Sequence, residues 1–428
     1  MALVYQYNYD LLTSPDSLCN KTLRTVQGLI DSNVNGGALS MPAGNFYLFE
    51  ESRPLQRTQM FIRECYEPLL NEMEHFHNLG LGILFAGTPG IGKTLMRNLV
   101  LKRILLYEFT AGVSSRSIIL QQGHINSALV ITMTVTGSVC EIGVEEMRNV
   151  RLNWIEWIED KLCQQYYLVD LQNGKREYVV DYDANVTKVV VFSSPVKKLT
   201  NFVTKERCGM QYVPNWTLDE LYRARDALGL QVLNNDGNAV PMTDAVIRER
   251  YIVMGGVASQ VLEKESGMYS AAAVLEGAVH QADLTTVLTT GIWEYGAYIN
   301  VTIPHHFVHC FVPQDTNGTY DYRIARNCWC SKYIALMVAN KLRSTLHRCF
   351  RAEVFLLASM SALPPASLGF MMTMYANSLL SQRGIDSHVH AVLLTRKRGA
   401  GVPERFPLTR CKCICIGLLC FLVTCSML

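Results

Sequence analysis

A glycine-rich segment near residue 90 restricts this chain more than any other part of its sequence. Residues 82–86 (GILFA) form a short apolar run typical of buried strands, and residues 87–94 continue as GTPGIGKT, which fits G-x-x-x-x-G-K-T. The segment MRNLVL at 96–101 then predicts a helix. A strand, a glycine turn and a helix in this order favour a phosphate-binding P-loop over a chance glycine-rich turn.

Each position of this loop has an expected part in nucleotide binding. Its glycines let the backbone turn tightly and direct N–H groups inward. Lys93 should reach the β- and γ-phosphates, and the Thr94 hydroxyl should ligate Mg²⁺. The expected cofactors are therefore ATP and Mg²⁺. The predicted cofactor-binding residues are Gly87, Thr88, Pro89, Gly90, Ile91, Gly92, Lys93 and Thr94.

Two later strands complete the predicted site. The run YYLVD at 166–170 ends in Asp170, which we expect to join Thr94 in the Mg²⁺ shell. The run VVVF at 189–192 is followed by two serines, and the second of them, Ser194, either senses the γ-phosphate or begins a turn. The predicted catalytic residues are Lys93, Asp170 and Ser194, and the predicted metal ligands are Thr94 and Asp170.

Strands and helices alternate around the loop, which predicts an α/β fold: a P-loop NTPase with a parallel sheet, followed by a mostly helical or α+β C-terminal region. Helices are expected at 61–74, at 144–162 and at 214–228, the last with a capping box. The predicted divisions are an N-terminal region (1–60), the P-loop domain (61–240), a helical lid or winged-helix-like region (241–300), a degenerate α/β region (301–395), and a basic loop with an apolar tail (396–428).

Composition limits the binding partners and the cellular compartment expected for the chain. The net charge of this 428-residue chain is only +2. Its overall electrostatic field is therefore too weak to bind it to nucleic acid or to an acidic surface. Its 14 cysteines are scattered without paired C-x₂-C motifs, which indicates reduced thiols in a reducing compartment. The first residues, MALVYQYNYD, lack a basic and an apolar segment, so we expect no signal peptide.

The C-terminal segment leaves alternatives open. Residues 413–428 are sixteen apolar or small residues, slightly fewer than the roughly 18–20 that span a bilayer. Basic residues precede them, so the tail is either a membrane anchor, an acylated cluster or a buried helix. The run at 396–398 (RKR) is a nuclear localisation signal, a phosphate-binding patch or a solvated basic loop, and we favour the last of these.

One further cluster has a structural and a functional interpretation. His305, His306, His309 and Cys310 lie close in sequence. On a strand, His306 would face away from His305 and His309, which leaves too few ligands on one face for a metal. We therefore expect structural histidines.

Several phrases in order give the chain a resemblance to a known family. The segments that carry the resemblance are FIRECYEPLL, ILFAGTPGIGKT, YYLVD, VVVFSSPVKKLTNFVTK, YVPNWTLDELYRARDAL and RERYIVMGGVASQVLE. Through them the chain resembles the ATPase module shared by Crinkler effectors and retrotransposon hot spot proteins. The resemblance covers roughly residues 60–265 and extends more loosely to about 383.

The resemblance implies an ATP-binding regulatory NTPase of the AAA or STAND-like kind, coupled to a separable effector domain. It also implies an intracellular location, in the nucleus or in a host cell after secretion. The partners implied in that setting are proteins or chromatin in the nucleus, or further copies of the chain.

The sequence also departs from that family. Ser259 stands where an arginine is expected, and Leu171 rather than a glutamate follows Asp170, so hydrolysis should be slow or switch-like. Met372 and Thr373 stand where the family often has Phe-Glu, so we expect no intact effector nuclease. The alternative functions are a degenerate scaffold that does not hydrolyse nucleotide and a host-targeted interaction protein.

Overall fold

The structure is a computed structural model. It describes residues 3–8, 17–41, 58–107, 114–122, 127–148, 163–171, 187–193, 208–234, 237–263, 268–281, 308–338 and 341. Ser194, His305, His306, residues 372–373, the basic run at 396–398 and the apolar tail at 413–428 lie outside these ranges.

Five parallel strands form the centre of the main sheet. They are β5 (Gly82–Ala86), β6 (Ser115–Gln122), β9 (Cys163–Leu171), β10 (Thr187–Ser193) and β11 (Cys208–Tyr212). Their spatial order is β6-β9-β10-β5-β11, and every neighbouring pair in this order is parallel. The P-loop strand β5 therefore lies inside the sheet, and β10 separates it from the strand that carries Asp170.

Three more strands extend the sheet beyond β6 to a total of eight. β7 (Ser127–Thr136) and β8 (Val139–Arg148) form an antiparallel hairpin, and β1 (Val4–Tyr7) pairs parallel with β8. The predicted helix at 144–162 is therefore wrong at its start, because its first residues belong to β8. Ten residue pairs with β7 outweigh the helical spacing of the apolar residues. Residues 149–162 lie outside the described ranges.

In the described ranges, three helices pack around this sheet. They are α1 (Leu18–Ile30), α2 (Tyr66–Asn78) and α3 (Lys93–Leu106), which starts directly from the glycine loop. The helix expected at 61–74 begins only at Tyr66, because Phe61 ends the short strand β4 (Gln59–Phe61). The N-terminal region thus supplies the strand β1 and the helix α1 to the same layered body as the P-loop.

The helices that follow the main sheet in the described ranges include four with defined bounds. They are α4 (Leu218–Leu228), α5 (Asp244–Met254), α6 (Ala258–Val261) and α7 (Met268–Gln281). The capping box predicted for α4 is confirmed: the Glu220 N–H donates to Thr217 Oγ1 at 3.1 Å, and the Thr217 N–H donates to Glu220 Oε2 at 2.9 Å. Thr217 accepts one of the free N–H groups of the first turn, so local sequence alone fixes where this helix begins.

Smaller antiparallel sheets lie outside the main one. They comprise β2 (Asn33–Asn35) and β3 (Ala38–Ser40) with β4, then β12 (Gln231–Leu233) with β13 (Ala239–Pro241), and β14 (Val308–Phe311) with β15 (Arg326–Trp329). The pair β14–β15 contributes to the surroundings of the glycine loop described below.

The core lies on both faces of the central strands. Every residue of β5 is buried, and Phe85 stacks on Phe192 of the neighbouring strand with ring centroids 5.5 Å apart. Strands buried on both faces are typical of parallel sheets covered by helices. Within the described ranges, no helix combines the length and apolarity needed to cross a membrane.

Candidate nucleotide-binding site

The glycine loop joins the end of β5 to the start of α3. Gly90 and Gly92 have φ angles of 80° and 95°, a left-handed conformation that residues with a Cβ atom rarely adopt. Space is a second reason for glycine at position 90, since a Cβ there would lie 2.2 Å from Ser259 Oγ. The loop leads into the N-terminus of α3, whose free N–H groups and helix dipole favour an anion.

Lys93 is the first residue of α3 and is 9% exposed. Its Nζ donates to Gly87 O and to Thr88 O, both at 2.8 Å. Burial lowers the pKa of this ammonium to about 8. The lysine expected to bind phosphate therefore lies inside the loop and is held there by the loop's own carbonyl groups.

Thr94 and Asp170 meet at the next position. The Thr94 hydroxyl donates to Asp170 Oδ2 at 2.7 Å, across a sequence gap of 76 residues. Asp170 lies near the end of β9 and is 5% exposed. A hydroxyl and a carboxylate are oxygen ligands of the kind that Mg²⁺ prefers, so the two side chains fit the ion that the sequence predicts.

Arg97 is a charged side chain in this site that sequence reasoning missed. It is 1% exposed, and its Nη1 lies 3.7 Å from Asp170 Oδ2. Three positions separate it from Thr94 on α3, which places both side chains on one face of the helix. That spacing was a signal in the sequence, but only the sheet brings Asp170 to the same place.

Three distant segments hold the loop from outside. The backbone N–H of Cys310 on β14 donates to Thr88 Oγ1 at 3.0 Å, and that of Ser259 on α6 donates to Gly90 O at 3.0 Å. The indole of Trp216 donates to Ile91 O at 2.8 Å. The loop is thus tied to parts of the chain more than a hundred residues away.

The other positions that the sequence singled out lie in the loop or at the ends of β9 and β10. Ile91 is fully buried and Pro89 is partly buried in the loop. Ser193 ends β10 directly opposite Ala86 of β5, so the chain leaves β10 beside the loop, although Ser194 itself lies outside the described residues. Leu171 is 1% exposed, so the position after Asp170 carries a core side chain.

The histidines expected to be structural are described only in part. His309 is buried on β14, and burial lowers its pKa to about 3, so this imidazole is neutral at physiological pH. The described ranges hold no group of three or more histidine, cysteine or acidic side chains placed to bind a metal ion.

These features define the class of the fold. Parallel strands carry a P-loop on an internal strand and a facing carboxylate two strands away, and helices cover the sheet, which is an α/β P-loop NTPase fold. The class is that of nucleotide-binding proteins that use Mg²⁺.

Comparisons with known proteins add little to this assignment. No protein-family model matches the chain, and neither does any curated protein. Among solved structures, a lysine-to-arginine mutant of RuvB from Thermotoga maritima matches with 14% sequence identity and a TM-score of 0.25. That match covers 56% of this chain and 67% of RuvB. The fold assignment therefore rests on the strand order and the loop described above.

Proposed function

We propose that this chain is an ATP-binding regulatory NTPase module with slow or switch-like hydrolysis. The observation that carries the proposal is the contact of Thr94 with Asp170 beside Lys93. A phosphate-binding lysine, a hydroxyl and a carboxylate are the parts with which P-loop proteins hold Mg²⁺ and a nucleoside triphosphate.

Two positions support slow hydrolysis. Leu171 occupies the place after Asp170 where a carboxylate would orient the attacking water, and it is buried in the core. Ser259 contacts the loop through its backbone N–H. Its side chain is a hydroxyl, whereas a guanidinium at this position would stabilise charge on the transferred phosphoryl group.

The partners of the loop support a switch. Lys93 donates to two carbonyl groups of the loop, and the Thr88 hydroxyl accepts from Cys310 on β14. A bound phosphate would draw Lys93 away from those carbonyls, because an ionised acceptor binds an ammonium more strongly than a neutral carbonyl does. Any shift of the loop would pass directly to β14 and to α6.

Equilibrium binding of a fluorescent ATP analogue with Mg²⁺ tests nucleotide binding. Lys93→Ala should weaken the affinity at least about tenfold, because it removes a charge-assisted contact worth roughly 1.5–3 kcal/mol. Lys332→Ala, which removes an exposed lysine, is the matched control and should bind as the wild type does. Equal affinity of Lys93→Ala and wild type would remove Lys93 from the mechanism.

Phosphate release under steady state separates the module from a non-hydrolysing scaffold. Slow turnover that Asp170→Ala abolishes supports the ATPase. A scaffold would bind nucleotide and gain thermal stability by RT ln(1 + [L]/Kd) without releasing phosphate. That second outcome would replace the proposed activity and leave nucleotide binding intact.

A finer proposal follows from the quoted family phrases. We propose that the module is of the Crinkler and retrotransposon hot spot kind, acts in the nucleus or in a host cell, and has protein or chromatin partners there. Fluorescence microscopy of the tagged full chain tests the location. Absence of the chain both from nuclei and from host cells would argue against this part of the proposal.

A further inference from the structure

A cavity of about 310 Å³ lies beside the edge strand β11, away from the Thr94–Asp170 contact. Residues of α2, of β11 and of the connection between β14 and β15 line it. The side chains that matter for its chemistry are Glu72, Gln211, Asp315, Tyr320, Asp321 and Tyr322. Its volume is at the lower end of the roughly 300–1,000 Å³ of small-molecule sites.

Gln211 provides the first indication of a ligand. The residue is 1% exposed, and its Nε2 donates to Glu72 Oε2 at 3.4 Å. That bond orients the amide, because only the NH₂ group can donate to a carboxylate. Its Oε1 is buried and has no hydrogen-bond partner among the described residues. A buried acceptor without a partner in the protein is satisfied by a donor from outside it, a water or a ligand.

The charge of the cavity indicates the sign of that ligand. Three carboxylates line it against one guanidinium, that of Arg323. Arg323 is 77% exposed and its Nε lies 3.6 Å from Asp321 Oδ1, so it offsets one of the three negative charges loosely. The lining therefore keeps an excess of negative charge.

The connection between β14 and β15 is held in place around these groups. Asp315 Oδ1 accepts from the N–H groups of Asn317 and Thr319, each at 2.8 Å. The N–H of Tyr212 on β11 donates to Tyr322 O at 2.6 Å. Asp315 and Asp321 thus lie on a segment that is fixed both internally and to the sheet.

Two aromatic rings complete the lining. The rings of Tyr320 and Tyr322 have centroids 5.8 Å apart and planes inclined by 36°. The face of such a ring attracts an ammonium or guanidinium group, most strongly where water is excluded. Aromatic faces next to carboxylates are a recurrent setting for organic cations.

We propose that this cavity binds a small organic cation that carries an ammonium or guanidinium group. The N–H groups of the cation would donate to Gln211 Oε1 and to the carboxylates of Glu72 and Asp321, and its charge would lie against the tyrosine rings. An inorganic cation fits less well, since the three carboxylates that line the cavity are not placed together as a metal-binding group. The proposal is independent of nucleotide binding.

Isothermal titration calorimetry of the full chain tests it, with 1,4-diaminobutane and agmatine as probes at fixed ionic strength. One site should be seen in the wild type. Glu72→Gln and Asp321→Asn should each weaken it at least about fivefold, the order expected for losing a charged acceptor. Glu249→Gln removes an exposed carboxylate outside the cavity and should leave the affinity unchanged.

Gln211→Met removes the buried acceptor at similar volume and should also weaken binding. If that variant does not fold, the two carboxylate variants decide. No binding of either probe to the wild type would overturn the proposal. Equal affinity in Glu72→Gln, Asp321→Asn and wild type would also overturn it, and so would displacement of both probes by equimolar Ca²⁺. Binding of an Arg-Lys-Arg peptide, which has the sequence of residues 396–398, but of neither probe would overturn it as well.

Discussion

Two buried arginine–carboxylate pairs lie in different regions of this molecule. In one, Arg63 forms a double hydrogen bond with Glu220, with Nε and Nη2 each 3.0 Å from a carboxylate oxygen. In the other, Arg97 lies 3.7 Å from Asp170, beyond ordinary hydrogen-bond distance. Both guanidinium groups are about equally hidden from water, at 1% exposure.

The partners of the first pair bind parts of the fold together. Arg63 also donates to Pro214 O at 2.7 Å and to Asn215 O at 3.0 Å, and its guanidinium lies 4.7 Å from the ring centroid of Trp216. That indole donates in turn to the P-loop at Ile91. The first pair therefore fixes the segment that supports the loop from outside.

The carboxylate of the second pair has a different set of partners. Asp170 accepts from the Thr94 hydroxyl at 2.7 Å while Arg97 stays at the longer distance. A carboxylate that is loosely paired with its arginine can exchange a partner for a metal ion at lower cost than one in a double hydrogen bond. The comparison indicates that tight pairing marks the scaffold and loose pairing marks the site.

The largest expected effect is on the tight pair. Glu220→Ala should lower the free energy of unfolding by about 3–5 kcal/mol, because it leaves the Arg63 charge buried without its carboxylate. Urea unfolding measures the change. Asp226→Ala on the same helix removes a carboxylate that is 67% exposed and should cost less than about 1 kcal/mol. Similar losses in both variants would contradict the assignment of Glu220 to the scaffold.

Asp170→Asn addresses the loose pair. Its cost in stability should be smaller, on the order of 1–3 kcal/mol, because the amide keeps the shape and can still accept from Thr94. Its effect on binding should be distinct: nucleotide affinity should lose its dependence on Mg²⁺. Titration of the ATP analogue with and without Mg²⁺ measures this. A variant that keeps the full Mg²⁺ dependence would exclude Asp170 as a ligand.

A third prediction uses the charge of Lys93. Burial lowers its pKa to about 8, so the free protein loses this positive charge as the pH rises through that value. Nucleotide affinity should therefore fall roughly tenfold from pH 7 to pH 9, since the charged fraction falls by about that factor. Lys93→Ala should bind weakly with no such decline. The same decline in both proteins would assign the pH dependence to another group.

The smallest expected effect concerns the start of α4. Thr217→Ala should cost about 1 kcal/mol of unfolding free energy, because the N–H of Glu220 loses its acceptor. Thr243→Ala at the start of α5 removes a longer contact of 3.4 Å and should cost less. Chemical denaturation of the two variants gives the difference, and a larger loss for Thr243→Ala would argue against the capping box as the reason.

Local patterns in the sequence predicted much of the local structure around the candidate site. The P-loop, the strand ending near Asp170 and the capping box of α4 each depend on neighbouring residues, so short segments were enough to find them. The meeting of Thr94 with Asp170 also followed, because parallel strands end at the same edge of a sheet.

Other features depend on residues far apart in the chain, and the sequence did not reveal them. The hairpin β7–β8 replaces the start of a predicted helix because pairing across the sheet outweighs local spacing. Arg97 belongs to the site only because the sheet places Asp170 beside it. The contacts of Cys310 and Trp216 with the loop, and the cavity beside Gln211, likewise need the packed structure.

The position of β1 in the sheet has a consequence for how the chain folds during synthesis. Val4 lies opposite Val139 in the parallel pair with β8. The partner is made about 135 residues later, so at roughly 5–20 residues per second the first strand waits about 7–27 s on the ribosome before its neighbour exists. Until then it is an unpaired edge strand available to other chains. A chaperone acting on this nascent polypeptide would therefore meet Val4–Tyr7 before the strand that pairs with it exists.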